Sequence, residues 1–241
     1  KVAAFLAKHD NDVMLKILGL SGARNVAAVD GLQACVDYVE EFPEGLDVVL
    51  QERLDLTQFT EMTVDLRITP DDISIANVRK IMFAEGLWVG NLIGPEVVLT
   101  DAHIAELMRV GAYVREHNYF LTEGINCGVD YFVNGDEVVV TEINARWTGG
   151  LFPTEIIRDV GAGNKTCVAF VDLIRADRFD VCLDFFESHL FSRESTADFN
   201  VIPVGFSAIE QEIEGQKFYF SWQVIAGDFE AFKIARRDDL G

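Results

Sequence analysis

Residues 130 to 146 read Asp-Tyr-Phe-Val-Asn-Gly-Asp-Glu-Val-Val-Val-Thr-Glu-Ile-Asn-Ala-Arg, and this stretch leaves the chain few choices. Two β-favouring runs, Phe132-Val133 and Val138-Val139-Val140, flank the turn dipeptide Asn134-Gly135, which predicts a hairpin. On its second strand Glu142, Asn144 and Arg146 are spaced by two, so they are expected on one face. A carboxylate, an amide oxygen and a cation then stand in a row. Oxygen donors of this kind suit Mg2+, and a neighbouring arginine suits phosphate or carboxylate. Any one of the three is equally well read as a solvated strand residue; their regular spacing favours a site.

Register decides whether Asp130 joins them. A two-residue turn at Asn134-Gly135 pairs 130 with 139 and turns Asp130 away from Glu142. A three-residue turn, Asn134-Gly135-Asp136, pairs 130 with 140 and leaves Asp130 diagonal to Glu142, about 7–8 Å away between backbone positions. The odd-length turn is therefore expected.

Gly128-Val129-Asp130 followed by Glu142-Ile143-Asn144-Ala145-Arg146 resembles the metal-binding end of the ATP-grasp superfamily of carboxylate–amine and peptide ligases. The resemblance implies that Asp130, Glu142 and Asn144 bind the Mg2+ ions bridging the phosphates of ATP. It implies that Arg146 assists a phosphate or acyl phosphate.

Composition narrows the partners. Forty acidic residues against 20 basic ones give a net charge of −20, which disfavours nucleic acid and anionic membranes. ATP is an anion too, so its binding would depend on local Lys, Arg and bound Mg2+. No run of about 18 apolar residues is present, so no membrane span is expected. Cys35, Cys127, Cys167 and Cys182 are scattered without a CxxC pair, which argues against zinc and fits a reducing, cytoplasmic setting. The chain opens at Lys1 without a leader-like segment, and a preceding N-terminal domain is expected to lie outside it.

Towards the start, Val2 to Lys8 reads as a helix end and Val13 to Ile17 as a strand carrying one lysine, Lys16. That ammonium must snorkel out or meet an anion. Next come Gly19, Ser21, Gly22 and Arg24, then a strand at 26–29. The glycines permit backbone N–H groups to converge on an anion, although taken alone a plain glycine turn is the better account of them, and no Walker pattern follows. Beside Lys16, this loop resembles the small loop of the ATP-grasp lid that covers the phosphates. A helix over 31–42 and a strand over 47–54 complete a lid-sized unit.

Residues 51 to 56 read as the hinge to a larger lobe. The resemblance implies that the purine meets backbone groups at Glu52, Arg53 and Leu54, and that Glu52 and Glu61 lie where an acidic residue holds the ribose hydroxyls, a role carboxylates suit. Met62 to Thr69 alternates apolar and polar residues. Arg67 is expected to share a cleft with Arg146, whereas Asp65 is better explained by a salt bridge to a neighbouring strand. The segment 71–98 holds a strand near Arg79-Lys80-Ile81-Met82-Phe83, whose basic residues could serve an anionic substrate.

Thr100 is expected to cap a helix to about His117, with Ile104, Leu107, Met108, Gly111 and Ala112 buried and both His103 and His117 exposed. The resemblance implies that Thr148, Gly149 and Gly150 border the acceptor site, and Thr154 is expected to cap a helix through Val160. Helix is expected over 164–175, and an antiparallel meander with strands at 199–209, 217–226 and 230–236. The meander could complete the sheet, form a homodimer contact or select substrate.

The expectation is therefore an α+β chain of ATP-grasp type: a lid and hinge over 1–56, a catalytic lobe with mixed or antiparallel sheet over 57–175, and appended strands over 176–241. The resemblance implies transfer of the ATP γ-phosphoryl group to a small-molecule carboxylate, followed by attack of an amine, with amino-acid or peptide ligases as the suggested subtype. The catalytic side chains would be Arg146 and Arg67. A small-molecule kinase on the same fold, or a non-catalytic nucleotide-binding module, are the rival readings.

Overall fold

A computed structural model describes residues 1–10, 12–18, 25–84, 87–175, 179–207, 211–213 and 216–240. The chain divides into two units, Lys1–Phe59 and Thr60–Gly241.

In the first unit, helix α1 (Val2–Lys8) precedes strand β1 (Asp12–Ile17), followed by β2 (Val26–Asp30), helix α2 (Gly31–Glu40) and β3 (Val48–Glu52). The strands form an antiparallel sheet in the order β2-β1-β3. Val13, Leu15 and Ile17 alternate along β1 onto one face, where they pack with Leu6, Val29 and Cys35. This period-two pattern buries the odd residues and turns Lys16 to the other side, half-buried.

The second unit is built on one antiparallel sheet in the order β10-β12-β9-β6-β5-β4-β7-β8, with β11 (Gln211–Ile213) added to β12. Its members are β4 (Thr60–Ile68), β5 (Ile73–Ala84), β6 (Leu87–Ile93), β7 (Cys127–Asn134), β8 (Glu137–Asn144), β9 (Cys167–Arg175), β10 (Phe199–Phe206) and β12 (Gln216–Gly227). Helix α3 (Asp101–Glu116) covers Val64, Leu66, Val129 and Tyr131 with Leu107, Val110 and Val114. Further along, α5 (Phe179–Ser188) and α6 (Phe229–Leu240) close an aromatic core of Phe185, Phe186, Phe199 and Phe232. Helix α4 (Leu151–Val160) packs through Ile157 on Ile93, Ala169, Ile202 and Val224.

Several local expectations are corrected. Cys167–Arg175 is a strand, not a helix; its nearly unbroken apolar run is covered by helices from both sides, which erases the alternation that marks a strand. Residues 230–236 lie in helix α6, whose start is capped by Asp228 Oδ1, accepting from the backbone N–H of Glu230 (2.8 Å) and Ala231 (3.0 Å). Because β12 pairs with β9 over nine residue pairs, the strands after residue 198 are continuous with the central sheet.

Thr100 does cap α3, accepting from the backbone N–H of His103. His103, however, is buried: Nδ1 meets the Thr100 backbone N–H and Nε2 lies 2.8 Å from the carbonyl of Gly135. The buried stripe is accordingly His103, Leu107, Val110, Gly111 and Val114, and Ile104 is exposed. Helix α4 starts at Leu151 after Gly150; Thr154 lies inside it and donates to the Gly150 carbonyl.

Candidate active site

The hairpin forms, but by another route than the expected three-residue turn. Asn134 pairs with Glu137, leaving Gly135-Asp136 as a two-residue turn. Gly135 takes φ 58°, the left-handed value such a turn asks of its first central residue. This register would turn Asp130 away from Glu142 if both strands were regular. A bulge intervenes: Tyr131 pairs with Val140 and Asp130 with Glu142, so Thr141 is the extra residue. Its hydroxyl donates to the Asp130 carbonyl at 3.1 Å.

The bulge resolves a conflict in the sequence. Val138, Val140, Glu142 and Asn144 are all even-numbered, and strict alternation would place them together. With Thr141 inserted, Val138 and Val140 pack on the core beneath α3, while Glu142 and Asn144 face the opposite side with Asp130.

Four strands thus carry a two-row polar lattice on that face. The register aligns Arg79, Thr63, Asp130 and Glu142 in one row, and Asn77, Asp65, Gly128 and Asn144 in the next. Asn144 Nδ2 donates to Asp130 Oδ2 at 3.0 Å, leaving its own carbonyl oxygen as an acceptor. The Asp130 carboxyl is raised above the ordinary carboxylate range, first by burial; a hydrogen bond from Thr63 opposes this, and the like charge of Glu142 adds to it. The partly buried Asp130 carboxylate facing the exposed Glu142 carboxylate is a charge arrangement that a cation relieves.

Asp65 and Arg79 form the foundation of the lattice. Both side chains are 1% exposed. Asp65 Oδ2 accepts from Arg79 Nη1 and from Asn77 Nδ2 at 3.0 Å, and Oδ1 accepts from the Thr148 hydroxyl at 2.7 Å. Arg79 Nη2 donates to the same hydroxyl at 3.2 Å. The salt bridge expected of Asp65 is therefore present. Thr148 spends its hydroxyl on this network, not on an open acceptor surface.

Arg146 is not on the strand face expected of it. Strand β8 ends at Asn144, whose carbonyl accepts from the Arg146 backbone N–H at 2.7 Å, and the exposed guanidinium donates to the Trp147 carbonyl. Arg67 is exposed on β4, on the lattice side by alternation from Thr63 and Asp65. Glu61 lies on that side too, half-buried.

In the first unit Lys16 sits between Val26 and Val49 on neighbouring strands. Glu52 approaches His9 Nδ1 at 3.9 Å, Arg53 Nη1 donates to Asp12 Oδ1 at 2.9 Å, and Leu54 is half-buried. Gly19, Ser21, Gly22 and Arg24 lie outside the described residues.

Sequence reasoning saw the basic pair Arg79-Lys80 without finding what Arg79 does. The only available signal was a charged residue within an otherwise apolar run, and its partner is set by cross-strand register.

Among the described residues no helix is long and apolar enough to cross a membrane. No protein-family model matches the sequence, and no curated protein matches it. Solved structures do. N5-carboxyaminoimidazole synthetase from Staphylococcus aureus, complexed with ADP, aligns with a TM-score of 0.60 at 10% identity, over 100% of this chain and 64% of that one. The biotin carboxylase domain of 2-oxoglutarate carboxylase from Hydrogenobacter thermophilus, with MgADP and bicarbonate, gives 0.63 at 10% identity over 94% and 55%. N5-carboxyaminoimidazole ribonucleotide synthetase from Thermus thermophilus gives 0.59 at 11% identity over 98% and 64%. The chain thus spans between about half and two thirds of the length of these proteins. Its α+β architecture, with a three-stranded first unit and a large antiparallel sheet flanked by helices, is the ATP-grasp fold.

Proposed function

We propose that the chain is the nucleotide- and metal-binding part of an ATP-dependent ligase that activates a carboxylate as an acyl phosphate and joins it to an amine, releasing ADP and phosphate. The observation that carries this reading is the pairing of Asp130 with Glu142, beside Asn144, on the open face of an ATP-grasp sheet. Two carboxylates and an amide oxygen suit Mg2+, which leaves its remaining positions to phosphate and water. Among the described residues no group of three His, Cys, Asp or Glu side chains is placed to hold a metal ion, so the proposed site relies on two carboxylates and the Asn144 amide. Bound there, Mg2+ would neutralise the triphosphate and the charge that develops on the transferred group.

The chain's own residues supply the rest. Asp130 and Glu142 hold the cation, Asn144 orients Asp130 and offers its own oxygen, and Thr63 hydrogen-bonds the Asp130 carboxyl. Arg67 is an exposed cation on the lattice face of β4 and Arg146 an exposed cation in the loop that leaves β8; both suit an anionic phosphate or acyl phosphate. Lys16, Glu52, Arg53, Leu54 and Glu61, with Gly19, Ser21, Gly22 and Arg24, are assigned to the nucleotide on the strength of the family resemblance. Phosphoryl transfer asks for alignment and charge neutralisation more than for a nucleophilic side chain.

Bicarbonate accompanies MgADP in one of the similar structures. It therefore joins amino acids and dipeptides among the first acids to test. The experiment incubates the protein with ATP, Mg2+ and a panel of acids with amines, following ADP, phosphate and the new C–N bond. ADP together with a C–N product supports the ligase; ADP with a phosphorylated hydroxyl and no C–N product replaces it with a kinase. No calorimetric response to ATP with Mg2+ overturns both.

A further inference from the structure

Residues 145–150, the loop that leaves the carboxylate-bearing strand, are fastened to the sheet by a side chain with two different ends. The hydroxyl of Thr148 donates to Asp65 Oδ1 at 2.7 Å and accepts from Arg79 Nη2 at 3.2 Å. Its methyl fills the space that Gly128 leaves open: a Cβ at Gly128 would lie 2.1 Å from Thr148 Cγ2. The same Cβ would clear Asp65 Oδ1 by 3.5 Å and Asn144 Cβ by 3.6 Å, so the methyl is the one hard obstacle. Two residues on, Gly150 lies against the guanidinium of Arg79, where a Cβ would meet Nε at 2.6 Å.

We propose that Thr148, seated in the notch left by Gly128 and held by the Asp65–Arg79 pair, is a positioning residue that keeps the Arg146 loop in register with Asp130 and Glu142. The inference deepens the ligase reading and rests on it for its catalytic consequence. Loops belong to the easily opened part of a fold, and a small misplacement of a charge-stabilising group is costly to turnover. The Asp65–Arg79 pair is buried, and the Thr148 hydroxyl hydrogen-bonds it to the loop, beside the packing of Gly150 on the guanidinium. The Thr148 hydroxyl bonds Asp65 and Arg79, and the methyl seats against Gly128, so the lock governs where the loop sits and not whether the carboxylates are present.

The two ends can be cut separately. Thr148→Val keeps the methyl and removes both hydrogen bonds; Gly128→Ala keeps the hydroxyl and expels the methyl. Both are expected to raise amide hydrogen exchange across residues 145–150 about tenfold. Both should lower kcat about 30- to 100-fold, with the Kd for ATP and Mg2+ changed less than about threefold. Thr148→Ser retains the hydroxyl without the methyl, so the double variant Gly128→Ala/Thr148→Ser should regain the exchange pattern and kcat of Thr148→Ser alone. Unchanged loop exchange in Thr148→Val, or a double variant no better than Gly128→Ala, overturns the lock. Exchange that rises and is rescued as stated, in a protein whose wild type turns over no ATP, supports the lock and overturns the ligase reading.

Discussion

Asp65 and Arg79 meet between neighbouring strands with each side chain 1% exposed, so the ion pair is sealed from solvent on all sides. Arg79 Nε has no hydrogen-bond partner among the described residues. A buried pair of this kind contributes little against a well-packed apolar replacement, but removing one member strands the other. Arg79→Met is expected to destabilise the chain by about 3–5 kcal/mol, and Asp65→Leu/Arg79→Met by distinctly less. Denaturant unfolding of both single variants and the double variant checks this; a double variant as unstable as the sum of the singles contradicts it.

Neutralising either facing carboxylate tests the proposed metal site. Asp130→Asn and Glu142→Gln are each expected to weaken Mg2+-dependent ATP binding about 10- to 100-fold, a scale typical of disturbing a metal site. Calorimetric titration of ATP with Mg2+ and with EDTA provides the comparison. Affinity equal to wild type in both variants would remove these residues from the metal.

His103 ties two elements together, closing the α3 cap with one ring nitrogen and reaching the Gly135 carbonyl of the hairpin turn with the other. Leucine at 103 would fill the space and lose both bonds. The expected cost is about 1–3 kcal/mol, from an unsatisfied carbonyl and a weakened cap. Chemical denaturation measures it, and His103→Gln, which keeps a polar end, should lose less.

Cys127, Cys167 and Cys182 are fully buried, and burial pushes each thiol from 9.0 to about 11. In the unfolded chain they ionise near 9, so the folded state holds their protons more tightly. The associated stability is fully present below pH 9 and is lost as pH rises towards 11, by about 2–3 kcal/mol for each thiol. Replacing one of them with Ala should flatten the fall in Tm between pH 9 and 11 relative to wild type. Parallel slopes would count against the account.

Local patterns were readable where one short range of sequence decides the structure. The short apolar run from Val13 to Ile17 announced a strand, Thr100 announced a helix start, and the hairpin followed from its two β-favouring runs around Asn134-Gly135. What escaped depends on distant packing. Cys167–Arg175 looked helical because α4 on one side and α5 with α6 on the other make both of its faces apolar. On α3 Leu107 and Gly111 are buried as expected, whereas His103 takes the inward place expected of Ile104, bonded to a carbonyl 32 residues away. The partnership of Arg79 with Asp65 and Thr148 needs the order β5-β4-β7, which no single segment encodes. The side on which Asp130 stands was foreseen, but through an odd-length turn; an even turn with a bulge achieves it, since two parity changes of different origin are equivalent from the sequence alone.

The supernumerary Thr141 divides β8 into two stretches answering to different demands. Its valine end is bound by the volume available beneath α3; its polar end joins the lattice on the opposite face, where Asn144 is buried and bonded to Asp130. A change at 138 or 140 is therefore felt first in the layer beneath α3 and a change at 142 first on the polar lattice, so the two ends of a single strand can be probed one at a time.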